Sequence, residues 1–121
     1  MSDARIVPQH VPKPWGHETI WARTDRYVGK ILHVRRGEAL SLQYHHTKDE
    51  TMRVLAGAIL LEVGAGSAAL DAVRLGPGEG WHIPAGTRHR VTALEDTDLL
   101  EVSTPELDDV VRLEDRYGRV K

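Results

Sequence analysis

Short runs of alternating apolar and polar residues, separated by turn residues, make up most of this chain. The runs are "ETIWA", "YVGKILHV", "LSLQYH", "ETMRVLAG", "AILLEVG", "DAVRL", "WHIPAG", "RHRVTAL" and "LLEVSTP". Successive side chains of a strand point to opposite faces of its sheet, so each run predicts a strand with one buried face. Many short strands between Gly, Pro and Asp turns are typical of an all-β sandwich or barrel, and we favour a jelly-roll barrel.

The two ends of the chain lack this alternation. Residues 1–14 hold three prolines and no periodicity, so we expect an arm laid over a single domain formed by residues 15–121. Near the other end, "TPELDD" predicts one helical turn with Thr104 as its N-cap and Pro105 at the first helical position. No stretch before residue 104 has a sustained helical period.

Length and composition narrow the classes of function. At 121 residues the chain is long enough for one domain with its own core, and a net charge of -2 does not favour nucleic acid or an anionic membrane as a partner. No apolar run reaches the roughly 18 residues of a transmembrane helix, and a signal peptide is missing, so we expect a cytoplasmic protein. Without cysteine, a metal here must be held by nitrogen and oxygen ligands.

The stretch "SLQYHHTKDE" concentrates the candidate metal ligands. Gln43 and His45 are two positions apart on one predicted strand and face the same way, and Glu50 opens the next strand beside them. A later tight turn brings His89 to the start of another strand. Two imidazoles, a carboxylate and an amide oxygen suit one divalent transition metal per chain, with zinc first and manganese, iron, nickel or cobalt as alternatives.

These residues fall into the spacing Gly37-x5-Gln43-x-His45-x4-Glu50-x6-Gly57, followed by Gly78-x5-Pro84-x-Gly86-x2-His89. The pattern resembles the two-part motif of the cupin superfamily, with Gln43 in place of the usual first histidine. Together with "KPWGHETIW", "IPAGTRHRV" and "LLEVSTPELDDVVRLEDRYGR", it resembles the isomerase module of type II mannose-6-phosphate isomerases. The resemblance implies a cupin jelly-roll β-barrel that interconverts mannose 6-phosphate and fructose 6-phosphate with a bound metal.

Isomerisation of a sugar also needs a base that moves a proton between C1 and C2. Glu101, a carboxylate in an otherwise apolar strand, is our candidate for this base, and a structural hydrogen-bond acceptor is the alternative. For substrate binding we select Lys30, His46 at the rim, and Arg90. Arg90 adjoins His89, however, and points away from the metal in a regular strand. No phosphate clamp is visible in the sequence.

Two other functions compete with the isomerase. One is a non-catalytic cupin that binds a sugar or a small acid, and the other is a cupin dioxygenase, which Gln43 disfavours because oxygen chemistry usually prefers more histidine ligands. In every case the expected partner is a small molecule, with no nucleic acid or membrane. We also expect a homodimer, because the run "RVLAGAILLEV" is apolar on both faces and a second copy would cover open sheet edges.

Overall fold

In the computed structural model, which describes residues 3–120, the protein folds into two antiparallel sheets that face each other. Their strands are β1 (Gln9–Lys13), β2 (Gly16–Arg23), β3 (Val28–Val34), β4 (Leu42–Tyr44), β5 (Glu50–Ala56), β6 (Ile59–Ala65), β7 (Asp71–Leu75), β8 (Gly80–Ile83), β9 (Thr87–Ala93), β10 (Thr97–Ser103) and β11 (Val111–Glu114). The all-β prediction is confirmed. Nowhere in residues 3–120 is there a helix that could cross a membrane.

The chain crosses repeatedly from one sheet to the other. The larger sheet has the order β1-β2-β3-β10-β5-β8 and the smaller one the order β11-β4-β9-β6-β7, so that β8, β9, β10 and β11 fall in alternate sheets. This connectivity is that of a jelly roll, which is the predicted architecture. The strands form two hydrogen-bonded sheets rather than one closed ring.

The apolar core fills one end of the space between the sheets, and buried polar residues fill the other. On β10, Leu99 belongs to the core, whereas Glu101 is buried further along the strand. Glu101 pairs with Lys30 of β3, and Leu99 pairs with Leu32. Since β3 and β10 are antiparallel, the polar ends of both strands coincide. The sheets therefore enclose a polar site on a packed apolar base.

The segment expected to form an arm contributes a strand of the larger sheet. Residues 9–13 are β1, which pairs with β2 from Gln9↔Ile20 to Lys13↔Gly16. Proline obscured this strand in the sequence, but β1 lies at the edge of its sheet, where a residue without an N–H group is tolerated. Residues 1 and 2 of the expected arm lie outside the described residues, and the domain boundary at residue 14 stays a prediction.

The helical turn expected in "TPELDD" is wrong. Thr104 does not cap a helix, because its N–H donates to the Asp49 carbonyl and its hydroxyl accepts from the Asp49 N–H, both at 3.0 Å. Tight turns follow, in which Leu107 N–H donates to the Pro105 carbonyl and Asp109 N–H to that of Glu106. These turns lead into β11, a strand that the sequence pattern did not reveal.

Candidate metal centre

Three buried side chains converge at the polar end of the fold. His45 follows the last residue of β4, Glu50 begins β5 and His89 lies in β9. The Nε2 atoms of His45 and His89 each lie 3.0 Å from Glu50 Oε1, and the possible ligand atoms are all within 4.8 Å of one another. Each of the three residues is at most 3% exposed. This geometry can hold a metal ion.

Backbone carbonyls determine which nitrogen of each imidazole faces the centre. His45 Nδ1 is hydrogen bonded to the Asp109 carbonyl, and His89 Nδ1 to the Thr87 carbonyl. A carbonyl only accepts, so Nδ1 donates in both rings and Nε2 is the nitrogen that faces Glu50. Two imidazole nitrogens and a carboxylate oxygen at this spacing are a set of donors that divalent transition metals bind. The residues therefore fit a divalent metal ion.

The carboxylate in this group is held in its ionised form. Burial on its own raises the pKa of Glu50, but the His45 and His89 imidazoles and the Lys48 ammonium outweigh it and hold that pKa well below the usual range. Lys48 Nζ lies 3.4 Å from Glu50 Oε2 without forming a hydrogen bond, so this buried oxygen keeps a free lone pair. An ionised glutamate with an unused oxygen is suited to bind a cation.

Gln43, the predicted fourth ligand, pairs with His89 across β4 and β9. It lines the same cavity as His45, and its Oε1 accepts a hydrogen bond of 2.6 Å from Ser41 Oγ. An amide oxygen has a second lone pair, so this hydrogen bond leaves room for one further contact. The role of Gln43 as a metal ligand stays a prediction.

A cavity with charged walls adjoins His45 and Gln43. Both sheets contribute to its wall, and the charged members are Lys13, Glu18, Lys30, Lys48, Glu101, Arg112 and Arg119. Lysine and arginine outnumber carboxylates in this set. A cavity of this kind is suited to a small anionic ligand.

The predicted base and one predicted substrate-binding residue also lie in this cavity wall. Glu101 is buried on β10, and its Oε1 lies 3.5 Å from Lys48 Nζ. Lys30 is its neighbour on β3, and its ammonium lies 3.4 Å from Glu18 Oε2. Burial lowers the pKa of Lys30, and the charge of Glu18 opposes that effect.

The other two predicted substrate residues are not part of the cavity wall. Because its neighbour His89 points inward, Arg90 lies on the outer face of the smaller sheet. There its Nε donates to Glu62 Oε1 at 2.9 Å. His46 is exposed, and its ring packs edge-on against Tyr44 with 5.4 Å between the ring centroids. The structure thus separates Arg90 and His46 from the residues that surround the candidate metal centre.

Sequence reasoning missed Lys48, which links the metal ligands to the candidate base. Its ammonium is buried between Glu50 and Glu101, at 3.4 and 3.5 Å. A lysine in the polar loop "HTKD" has the pattern of a surface residue, and no signal in the sequence separates it from one.

Asp109, also missed, holds the loop that carries Lys48. Its carboxylate accepts the backbone N–H groups of His46, Thr47 and Lys48 at 2.7–2.9 Å, and these bonds lower the pKa of Asp109 to about 2. Its carbonyl accepts from His45 Nδ1. One residue therefore orients both a metal ligand and the loop that follows it. The only signal in the sequence is an acidic pair after a proline, which we assigned to a helical turn.

The sequence of the chain is similar to a known family. Residues 2–115 match the family model described as "Mannose-6-phosphate isomerase C-terminal". The chain belongs to this family. A mannose-1-phosphate guanylyltransferase of Escherichia coli K12 is 39% identical over 94% of the chain, and the mannose-1-phosphate guanylyltransferase ManC of Salmonella typhimurium is 40% identical over 93%. The chain spans only 24% and 23% of the lengths of these two relatives.

Solved structures similar to this family member are cupins. KdgF from Halomonas sp. has a TM-score of 0.71 and 26% identity, covering 84% of this chain and 90% of that one. Oxalate decarboxylase from Bacillus subtilis has a TM-score of 0.77 and 14% identity, covering 94% of this chain and 32% of that one. The cupin jelly-roll fold predicted from the sequence is confirmed.

We expect this family member to contain roughly one divalent metal ion per chain when it is purified without chelator. His45→Ala and His89→Ala should each lose most of the metal, because each removes a nitrogen that faces Glu50. Elemental analysis measures the content, and circular dichroism verifies that the variants are folded. His46→Ala, which changes an exposed neighbour, should keep the metal. Folded His45→Ala and His89→Ala proteins with wild-type metal content would contradict the assignment.

Asp109→Ala should weaken metal binding by about tenfold or more, since it removes the hydrogen bonds that hold the loop after His45. Competition with a chromophoric chelator measures the affinity. Asp108→Ala is the matched control, because Asp108 is exposed and its carboxylate does not contact this loop in residues 3–120. Equal affinities in the two variants would show that the Asp109 carboxylate does not position the site.

Proposed function

We propose that this chain is a metal-dependent aldose–ketose isomerase for a sugar phosphate, converting mannose 6-phosphate to fructose 6-phosphate or acting on a close analogue. The observation that carries the proposal is the contact of Lys48 with both Glu50 and Glu101. Through this lysine, the buried carboxylate of Glu101 is held beside the candidate metal centre. Membership of the mannose-6-phosphate isomerase C-terminal family supports the class of substrate.

The residues of the centre have separate roles in this proposal. His45, Glu50 and His89, with Gln43 as a proposed fourth ligand, would hold the metal. When bound, the metal supplies Lewis-acid polarisation of a carbonyl and its neighbouring hydroxyl. The apolar core beneath and the two sheets around the cavity restrict access of water to the reacting carbons.

Glu101 acts as the base in the proposed mechanism. Its carboxylate removes the proton from C2 of the open-chain aldose, which forms an enediol, and returns that proton to C1 to give the ketose. The Lys48 ammonium donates a proton to the C1 oxygen as the C2–H bond breaks, and it recovers a proton from the C2 hydroxyl. Lys48 also holds Glu101 in place through their contact of 3.5 Å.

A sugar- or acid-binding cupin without turnover is the principal alternative. This binding function would use the same metal site and charged cavity as the isomerase, but it would need no base. A dioxygenase is disfavoured, because the buried group holds two imidazoles and Gln43 has replaced the third. The guanylyltransferase activity named for the two relatives is not proposed for this chain, because the chain covers only about a quarter of each of them.

The test is a coupled assay for fructose 6-phosphate, with zinc, manganese, cobalt and iron(II) supplied in turn to metal-free protein. Glu101→Gln should lower kcat by about a hundredfold or more without loss of metal, because the amide cannot accept the C2 proton. Glu62→Gln, a similar change on the outer face, is the control. Full activity of Glu101→Gln would remove this residue from the mechanism. No turnover with any metal, in folded and loaded protein, would favour the binding function.

We further propose that the protein is a homodimer formed through the outer face of the larger sheet. Trp21, Tyr27 and Val102 are exposed there, by 36%, 54% and 46%. The Trp21 indole packs over Gly29, and Gly29 pairs with Val102 on the adjacent strand, which makes the apolar surface continuous. A second copy offers the same apolar surface in return, as a two-fold interface requires.

Trp21→Asp should convert a dimer into a monomer, because it puts a charge in the centre of this apolar surface. Light scattering coupled to gel filtration measures the mass at concentrations on the order of micromolar. Leu113→Asp, which places the same charge at an exposed apolar position on β11, should leave the mass unchanged. A wild-type protein that elutes as a monomer would reject the dimer.

A further inference from the structure

We propose that Arg112, with Lys13 opposite it, forms an anion-binding subsite that holds the phosphate group of the substrate. Neither residue was selected from the sequence, and Arg112 belongs to the strand that the sequence pattern did not reveal. The inference rests on the proposed function for the identity of the ligand as a sugar phosphate. The need for an anion follows from the contacts of Arg112 itself.

Arg112 lies in a row of side chains that leads to the candidate metal centre. On β11 it pairs with Gln43 of β4, and Gln43 pairs with His89 of β9. Laterally paired residues of a sheet point to the same face, so all three side chains are directed between the two sheets. Arg112 also lines the cavity that contains Gln43.

One nitrogen of the Arg112 guanidinium lacks the partner that its burial requires. Its Nε atom is buried and has no hydrogen-bond partner within residues 3–120. A buried donor without an acceptor is destabilising, and more so when it is charged. An anion bound in the cavity would provide that acceptor.

The neighbouring cations, in contrast, have carboxylates beside them. The ion pairs are Arg119 with Asp115 at 2.8 Å, Lys30 with Glu18 at 3.4 Å and Lys13 with Glu18 at 3.8 Å. Two lysines thus share one glutamate, and within the described part of the chain Arg112 has no carboxylate in ion-pair contact. The positive charge in this part of the cavity exceeds the negative charge. A phosphate group would reduce the excess, and arginine binds its oxygens in a bidentate manner.

The distance along the row suits a hexose phosphate. Adjacent strands lie about 4.8 Å apart, so the backbones of Arg112 and His89, two strands apart, are separated by about 9.6 Å. In an open-chain hexose 6-phosphate, the path from C1 to phosphorus runs along single bonds that advance about 1.3 Å each and spans about 9 Å. A sugar with its carbonyl end at the metal centre therefore brings its phosphate to Arg112.

Lys13 completes the subsite from the other sheet. It is the last residue of β1, its side chain is 27% exposed, and it lines both the cavity and the adjoining outer cleft. Arg112 lines the same two spaces. The two cations therefore lie at the junction between the cavity beside the candidate metal centre and the outer cleft.

Calorimetric titration of the metal-loaded protein with mannose 6-phosphate and with mannose tests the subsite. The wild type should bind mannose 6-phosphate at least about tenfold more tightly than mannose, and Arg112→Gln should reduce that preference by about tenfold, because one charge-assisted contact to phosphate is lost. Lys13→Gln should reduce it in the same direction. This residue is partly exposed, so its variant remains informative if Arg112→Gln fails to fold. Arg74→Gln, an exposed arginine of the same sheet, is the matched control.

The outcomes separate this inference from the proposed function. If folded Arg112→Gln and Lys13→Gln keep the wild-type preference, or if the wild type does not distinguish the two sugars, the subsite is rejected whether or not the protein turns over its substrate. If the preference depends on Arg112 but no turnover occurs with any metal, the subsite stands and the isomerase is rejected. Turnover with a KM raised in Arg112→Gln and a nearly unchanged kcat supports both.

Discussion

Two imidazoles and a carboxylate meet in the buried polar end of this fold, and the rest of the site is arranged around them. The Nε2 atoms of His45 and His89 are directed at Glu50 because backbone carbonyls occupy their Nδ1 atoms. The buried carboxylate is stabilised by both imidazoles and by the Lys48 ammonium, and burial strengthens each of these interactions. The hairpin after β4, the position of β9 and the turns before β11 all contribute to this arrangement.

The apolar end of the sandwich makes the polar end possible. Side chains such as Leu32, Val54 and Leu99 pack between the sheets and hold the strands that supply the ligands. Since alternate residues of β10 enter the same interior, Leu99 anchors the strand and Glu101 enters the cavity from the same face. The same strands therefore supply core residues at one end and site residues at the other. Glu101 lies two residues from a packed core position, which limits its freedom to move.

The sequence could predict those site residues whose positions follow from the alternation of side chains along a strand and from the positions of turns. Alternation predicts the fold, and the spacing of His45, Glu50 and His89 places them together once that fold is assumed. Lys48 could not be predicted, since the hydrogen bonds to Asp109 that shape its loop join residues about 60 positions apart. Arg112 could not be predicted as a site residue, because β11 is short and becomes a strand only by pairing with β4.

Asp109 makes the two ends of the cavity energetically dependent on each other. The Asp109 carbonyl contacts His45, and its carboxylate contacts the three residues that follow His45. Arg112 lies three positions after Asp109 on the same segment. Changes at His45 and at Arg112 act on one shared stretch of backbone, so their free energies should not be additive. A double-mutant cycle between these two residues would thus report on the backbone that joins them as well as on a bound ligand.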